Sequence, residues 1–176
     1  GAPMRAFAVG EVVETRHPDY AVGERVSGMF GWQTLSISDG SDVDRKVTET
    51  GVSPSLALGV LGLNGITAYL GLMDICDPQP GETMVVSTAA GAVGSIVGQI
   101  AKIKGARTVG ITSTLEKVQL CLDQFRFDAA ISYKEEDVAT RIAETCTDSV
   151  DCYFDNTSGS ISDAVMAHLA VGARIS

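Results

Sequence analysis

The sequence has only two histidines, His17 and His168, and they lie far apart. Its four cysteines, Cys76, Cys121, Cys146 and Cys152, form no C-x-x-C pair and lie far from both histidines in sequence. A structural zinc site needs clustered ligand pairs, so no metal is expected, and the cysteines read as buried free thiols of a cytoplasmic protein. Basic charge is also scarce. Thirteen Lys+Arg stand against 22 Asp+Glu, a formal net charge of −9 over 176 residues. Nucleic-acid binding needs a basic face, so it is excluded. Residues 50–73 and 83–101 carry no charge and approach membrane-spanning length, but they contain Pro54, Asn64, Gln99 and several glycines. They read as buried core, and no membrane association is expected. No basic segment followed by an apolar run opens the chain, which begins with Gly1 and not Met. That start suggests a trimmed product.

Against these absences, 45% of the residues are hydrophobic and 20% charged, enough for a substantial core. Proline is confined to the first 80 residues, with none in 81–176. The sequence changes style there, which places a first domain at residues 1–75 and a second at 76–176. The first half reads as β-rich: alternation over 5–16, a strand over 25–32, an extended run over 33–38, and an interrupted helix over 54–75. The second half alternates strands and helices. Strands are expected at 83–88, 107–112, 129–132, 150–155 and 173–176, and helices at 92–104, from the Ser113 cap to about 124, after the Ser132 cap to about 146, and at 159–170. Ser113-x-x-Glu116 and Ser132-x-x-Glu135 read as capping boxes opening two of those helices. The rhythm implies right-handed βαβ crossovers: an α/β, Rossmann-type doubly wound parallel sheet, incomplete where the chain stops.

One segment of that sheet carries chemistry. Val85-Val86-Ser87-Thr88-Ala89-Ala90-Gly91-Ala92-Val93-Gly94 is a variant dinucleotide fingerprint, with Ala89 in the first glycine place. A turn without side chains lets backbone approach a pyrophosphate, and the following helix turns free N–H groups toward the anion. Gly91, Ala92, Val93 and Gly94 are therefore candidate cofactor ligands. The second strand ends Gly110-Ile111-Thr112-Ser113-Thr114, with no carboxylate before Glu116, and Lys117 follows. An acid there would hold a ribose diol and repel a 2′-phosphate, so NADP(H) is favoured over NAD. Lys117 reads either as the 2′-phosphate partner or as a solvated lysine. Tyr133 reads as an adenosine contact or as a cover for the sheet end, and Asn156 as a ribose ligand or an Asx-turn residue. No acid–base cluster identifies a catalytic residue.

Four stretches resemble the zinc-independent medium-chain dehydrogenase/reductase family, in its NADPH-dependent alkene reductase branch of prostaglandin, alkenal and curcumin reductases. They are Gly59-Val60-Leu61-Gly62-Leu63-Asn64-Gly65-Ile66-Thr67-Ala68-Tyr69, the segment from Ala89 to Lys102, Phe127-Asp128-Ala129-Ala130-Ile131-Ser132-Tyr133-Lys134, and Tyr153-Phe154-Asp155-Asn156. The resemblance implies that the first half is part of a GroES-like β-barrel domain and that the chain lacks both ends of the family's length. It implies pyrophosphate at Gly91 to Gly94, 2′-phosphate at Lys117, adenosine phosphate at Tyr133 and nicotinamide ribose at Asn156. The implied activity is reduction of the carbon–carbon double bond of α,β-unsaturated ketones or aldehydes, by a homodimer. A quinone reductase, or a nucleotide-binding module without activity, is the alternative. Asn64 and Thr157-Ser158-Gly159 depart from the family pattern.

Overall fold

A computed structural model describes residues 1 and 3–176. It divides into two compact units, 1–63 and 64–176. The first holds a three-stranded antiparallel sheet in the order β1 (Ala8–Glu11), β2 (Arg25–Gly28), β3 (Val43–Lys46). Gly23, at φ 90°, turns the chain between β1 and β2, and the Lys46 ammonium on β3 pairs with Glu24 at 2.8 Å. The strands expected over 5–16 and 25–32 are shorter than the pattern suggested, and 33–38 is not a strand. β2 ends at Gly28, where its pairing with β3 shifts register and a Cβ would stand 2.1 Å from the Asp42 carbonyl oxygen. A 3₁₀ turn follows at Pro54–Leu58.

In place of one interrupted helix over 54–75, the chain forms that turn, α1 (Leu63–Leu70) and a π-helical turn, Gly71–Cys76. Beyond it, β4 (Thr83–Ser87), α2 (Gly94–Ile103), β5 (Arg107–Thr112), α3 (Leu115–Asp123), β6 (Ala129–Ser132), α4 (Val138–Thr145), β7 (Val150–Phe154), α5 (Gly159–Met166) and β8 (Leu169–Ile175) alternate as the rhythm predicts. The five strands are parallel, in the order β6-β5-β4-β7-β8. Strand order reverses at β4, the geometry of a doubly wound sheet.

Period-two alternation builds two cores from one strand. Met84 and Val86 of β4 join Leu72, Val97, Ala101, Cys121 and Phe127 on one face. Val85 joins Val109, Ile131, Ile142, Tyr153 and Val165 on the other. Every residue of β4 is buried, as a central parallel strand covered on both faces requires.

Three helix boundaries differ from expectation. Thr114, not Ser113, caps α3, its hydroxyl accepting from the Lys117 amide at 3.3 Å. Asp137, not Ser132, caps α4, accepting from the Thr140 amide at 2.8 Å. The run expected as helix to 170 stops at Met166, and β8 spans seven residues, with Gly172 at φ 84° beside a register shift against β7.

β8 is tied to the segment before β4 by Arg174. Its guanidinium pairs with Glu82 and donates to the Cys76 carbonyl at 2.7 Å. That guanidinium holds the Glu82 carboxyl below the usual range. Replacing Arg174 by methionine is expected to cost about 2 kcal/mol at neutral pH, the scale of hydrogen bonds to charged groups. A depressed carboxylate pKa adds stability above its unfolded value and loses it as pH falls through the folded one. The gap between the urea midpoints of the two proteins should therefore begin to narrow as pH falls below the ordinary Glu value of about 4.3, with the part due to the Cys76 carbonyl bond remaining.

Candidate functional site

β4 delivers the chain to its carboxyl end at Ser87, and the next four residues fold back. Thr88 takes φ 51°, an uncommon conformation for a β-branched residue. Ala89 N–H donates to Ile111 O at 3.0 Å, pinning the turn to β5, and Gly91 N–H closes it onto Thr88 O at 2.8 Å. The first turn of α2 then passes against this loop. A Cβ on Gly94 would lie 2.4 Å from the Thr88 carbonyl oxygen, and one on Gly91 would lie 2.8 Å from Thr88 Cγ2. Only glycine fits the close approach at Gly94.

The N-terminus of α2 is uncapped. Val93 makes no side-chain cap bond, and Ser95 is the first amide to find a carbonyl, Gly91 O at 3.0 Å. The amides of Ala92, Val93 and Gly94 thus keep their donors open at the positive end of the helix dipole.

The other candidates follow the carboxyl ends of neighbouring parallel strands. Lys117 lies in the first turn of α3, exposed, just past β5. Tyr133 follows β6, and its amide donates to Thr112 O at 3.0 Å, which seats it beside the end of β5. Its side chain is exposed. Asn156 follows β7 and is anchored to β4: its amide donates to Ser87 Oγ at 2.7 Å and its Nδ2 to Ser87 O at 2.9 Å. The structure thus brings Gly91 to Gly94, Lys117, Tyr133 and Asn156 to one end of one sheet, on four adjacent strands around the point where strand order reverses. Ligands of open α/β sheets bind at that place.

Two residues escaped the motif reading. Ser87 receives both Asn156 bonds. Asp155 accepts from Ser162 Oγ at 2.6 Å, Tyr153 OH at 3.0 Å and the amides of Thr157 and Ser158 at 3.0 and 2.9 Å. Burial alone would raise its pKa, but these donors outweigh burial and bring it to about 2. The one sequence signal for Asp155 was a carboxylate closing a buried strand just before Asn-Thr-Ser.

The site's donor set suits an anion and not a metal. Among the described residues no group of three His, Cys, Asp or Glu could hold a metal ion. All four cysteines are free and buried, and burial pushes the Cys121 thiol up to about 11. Among the described residues no helix is long and apolar enough to cross a membrane.

The comparisons agree with this architecture. The family model described as "Zinc-binding dehydrogenase" matches residues 92–176, and "N-terminal domain of oxidoreductase" matches residues 1–45. The chain is 43% identical to NADPH-dependent curcumin reductase of Escherichia coli (strain K12), covering 99% of this chain and 50% of that protein. It is 42% identical to prostaglandin reductase 1 of Sus scrofa, covering 99% of this chain and 54% of that one. The crystal structure of CurA from Vibrio vulnificus in complex with NADPH superposes with a TM-score of 0.87 at 44% identity, over 97% of this chain and 50% of that chain. The chain spans about half the length of the curated relatives it matches. With both family models in their expected order on the two units, and a doubly wound sheet carrying the glycine turn, the chain belongs to the medium-chain dehydrogenase/reductase superfamily.

Proposed function

We propose that the chain carries the nucleotide-binding part of an NADPH-dependent oxidoreductase that reduces the carbon–carbon double bond of α,β-unsaturated ketones or aldehydes. The observation that carries this reading is the turn at β4, where Gly94 passes under the Thr88 carbonyl and leaves the amides of α2 open. The relatives' names, NADPH-dependent curcumin reductase and prostaglandin reductase 1, support the cofactor and the substrate class.

When bound, the dihydronicotinamide supplies a hydride for the substrate's β-carbon. The chain's own residues bind and orient. The amides of Ala92, Val93 and Gly94 donate to the pyrophosphate, with Gly91 leaving room for its approach. The Lys117 ammonium meets the 2′-phosphate. Tyr133 packs at the adenosine phosphate side, and Asn156 bonds the nicotinamide ribose. No side chain of this chain is assigned the proton transfer to the α-carbon. The isolated 176-residue chain is therefore expected to bind nucleotide without turning over an enone. The same reading makes the protein a zinc-independent homodimer of the cytoplasm, the last supported by the four free thiols.

Titration of NADPH fluorescence tests the site. Lys117→Ala should weaken NADPH by about 10-fold or more, the worth of a charge-assisted phosphate bond, and leave NADH unchanged. Equal loss for both nucleotides would remove the 2′-phosphate role, and an absence of saturable binding by the unsubstituted chain would remove the reading itself.

A further inference from the structure

The segment between β7 and α5 is strained in a way that the fold alone does not demand. Ser158 takes φ 53° with ψ −170°, and Gly159 takes φ 67°, two successive residues at positive φ, the first of them not glycine. A non-glycine residue held at positive φ is costly, so something must hold the turn. The holder is Asp155. Its carboxylate gathers the amides of Thr157 and Ser158 inside the turn, the buried Tyr153 hydroxyl from β7 and the Ser162 hydroxyl from α5.

The turn so held carries Asn156. Its amide rests on Ser87 Oγ at 2.7 Å, and the same hydroxyl lies 3.4 Å from Asp155 Oδ1. The Asn156 Nδ2 donates to the Ser87 carbonyl. A carbonyl selects the NH₂ side of the amide, so Oδ1 is the group turned away from β4 and left as an acceptor. An acceptor at the β4/β7 crevice matches a ribose hydroxyl, which donates.

We propose that Asp155, acting through Ser87 and the 155–158 turn, is the positioning residue that presents the Asn156 amide oxygen to the nicotinamide-side ribose. The inference rests on the nucleotide reading above. It places the effect of Asp155 at one end of the dinucleotide. The adenosine end meets β5 and β6 and is untouched by the turn.

Two probes separate the ends: NADPH, and adenosine 2′,5′-bisphosphate, which lacks the nicotinamide ribose. With the full 176-residue chain, Asp155→Ala should weaken NADPH by about 10-fold while adenosine 2′,5′-bisphosphate stays within about two-fold. Asp155→Asn, which keeps one acceptor oxygen for the turn amides, should recover most of the NADPH affinity. Ser87→Ala removes the hydroxyl under Asn156 and should show the same split, which decides the matter if Asp155→Ala does not fold. Unchanged NADPH affinity in folded Asp155→Ala, or equal loss of both nucleotides, overturns the positioning role and leaves the nucleotide reading standing. Binding of neither nucleotide by the unsubstituted chain overturns both.

Discussion

Replacing Gly98 by alanine is expected to destabilise the parallel-sheet unit by about 3 kcal/mol, the upper range for overpacking a filled core. α2 lays this glycine directly on the Phe127 ring. An added Cβ would stand 1.9 Å from Cζ, 2.4 Å from Cε2 and 2.6 Å from Cε1. The ring has no room to retreat. It is 4% exposed, and Gly110 of β5 borders its other side, where a Cβ would lie 3.2 Å from Cδ1. Either the ring leaves the core or α2 lifts from the sheet. The thermal midpoint should drop by roughly 10 °C. Phe127→Leu in the Gly98→Ala background should restore more than half of the loss, because the shorter side chain vacates the ring end. A Gly98→Ala protein that melts with the unsubstituted chain would show that α2 does not press on Phe127.

That contact marks how much of the fold a sequence can announce. The βα rhythm was legible because burial on both faces leaves a plain mark. β5 was expected at residues 107–112 and forms at Arg107–Thr112, and β4 ends one residue short of its expected bound. β3 was invisible for the opposite reason. Val43-Asp44-Arg45-Lys46 has three charged residues in four, and only pairing with β2 makes it a strand. Caps failed by small shifts. Ser113 and Thr114 are adjacent hydroxyls, and the extended backbone of Thr114, at φ −145°, decides which one caps α3. Ser132 cannot cap α4 because it belongs to β6, paired in register with Thr112.

The candidate site was legible where chemistry demands a missing side chain, and illegible where it depends on distant partners. Gly91 and Gly94 announce a tight turn by composition alone. Ser87 and Asn156 lie 69 residues apart, and nothing local in either stretch says that one will hold the other. The Phe127–Gly98 contact is of the same kind: the glycine is visible in the sequence and the ring that requires it is not.

Gly94→Ala should abolish most nucleotide affinity, raising the Kd of NADPH and NADH alike by about 100-fold. Its Cβ would meet backbone, 2.4 Å from Thr88 O, 2.9 Å from Thr88 C and 3.1 Å from Ala89 Cα, so no rotamer relieves the clash. The loop cannot yield either. Thr88 is already at φ 51°, and Ala89 is held by Ile111 O at 3.0 Å. The first turn of α2 must therefore move outward, taking the amides of Ala92 and Val93 with it. Hydrogen bonds to charged groups contribute about 1.5–3 kcal/mol each, so losing two misplaced donors accounts for the 100-fold. The pyrophosphate is common to both nucleotides and the 2′-phosphate belongs to one, so Gly94→Ala must weaken both where Lys117→Ala weakens only NADPH. Titrations well below the thermal midpoint, with far-UV circular dichroism unchanged, separate this from unfolding. Near-native affinity in a folded Gly94→Ala protein would mean that the pyrophosphate does not sit on these amides.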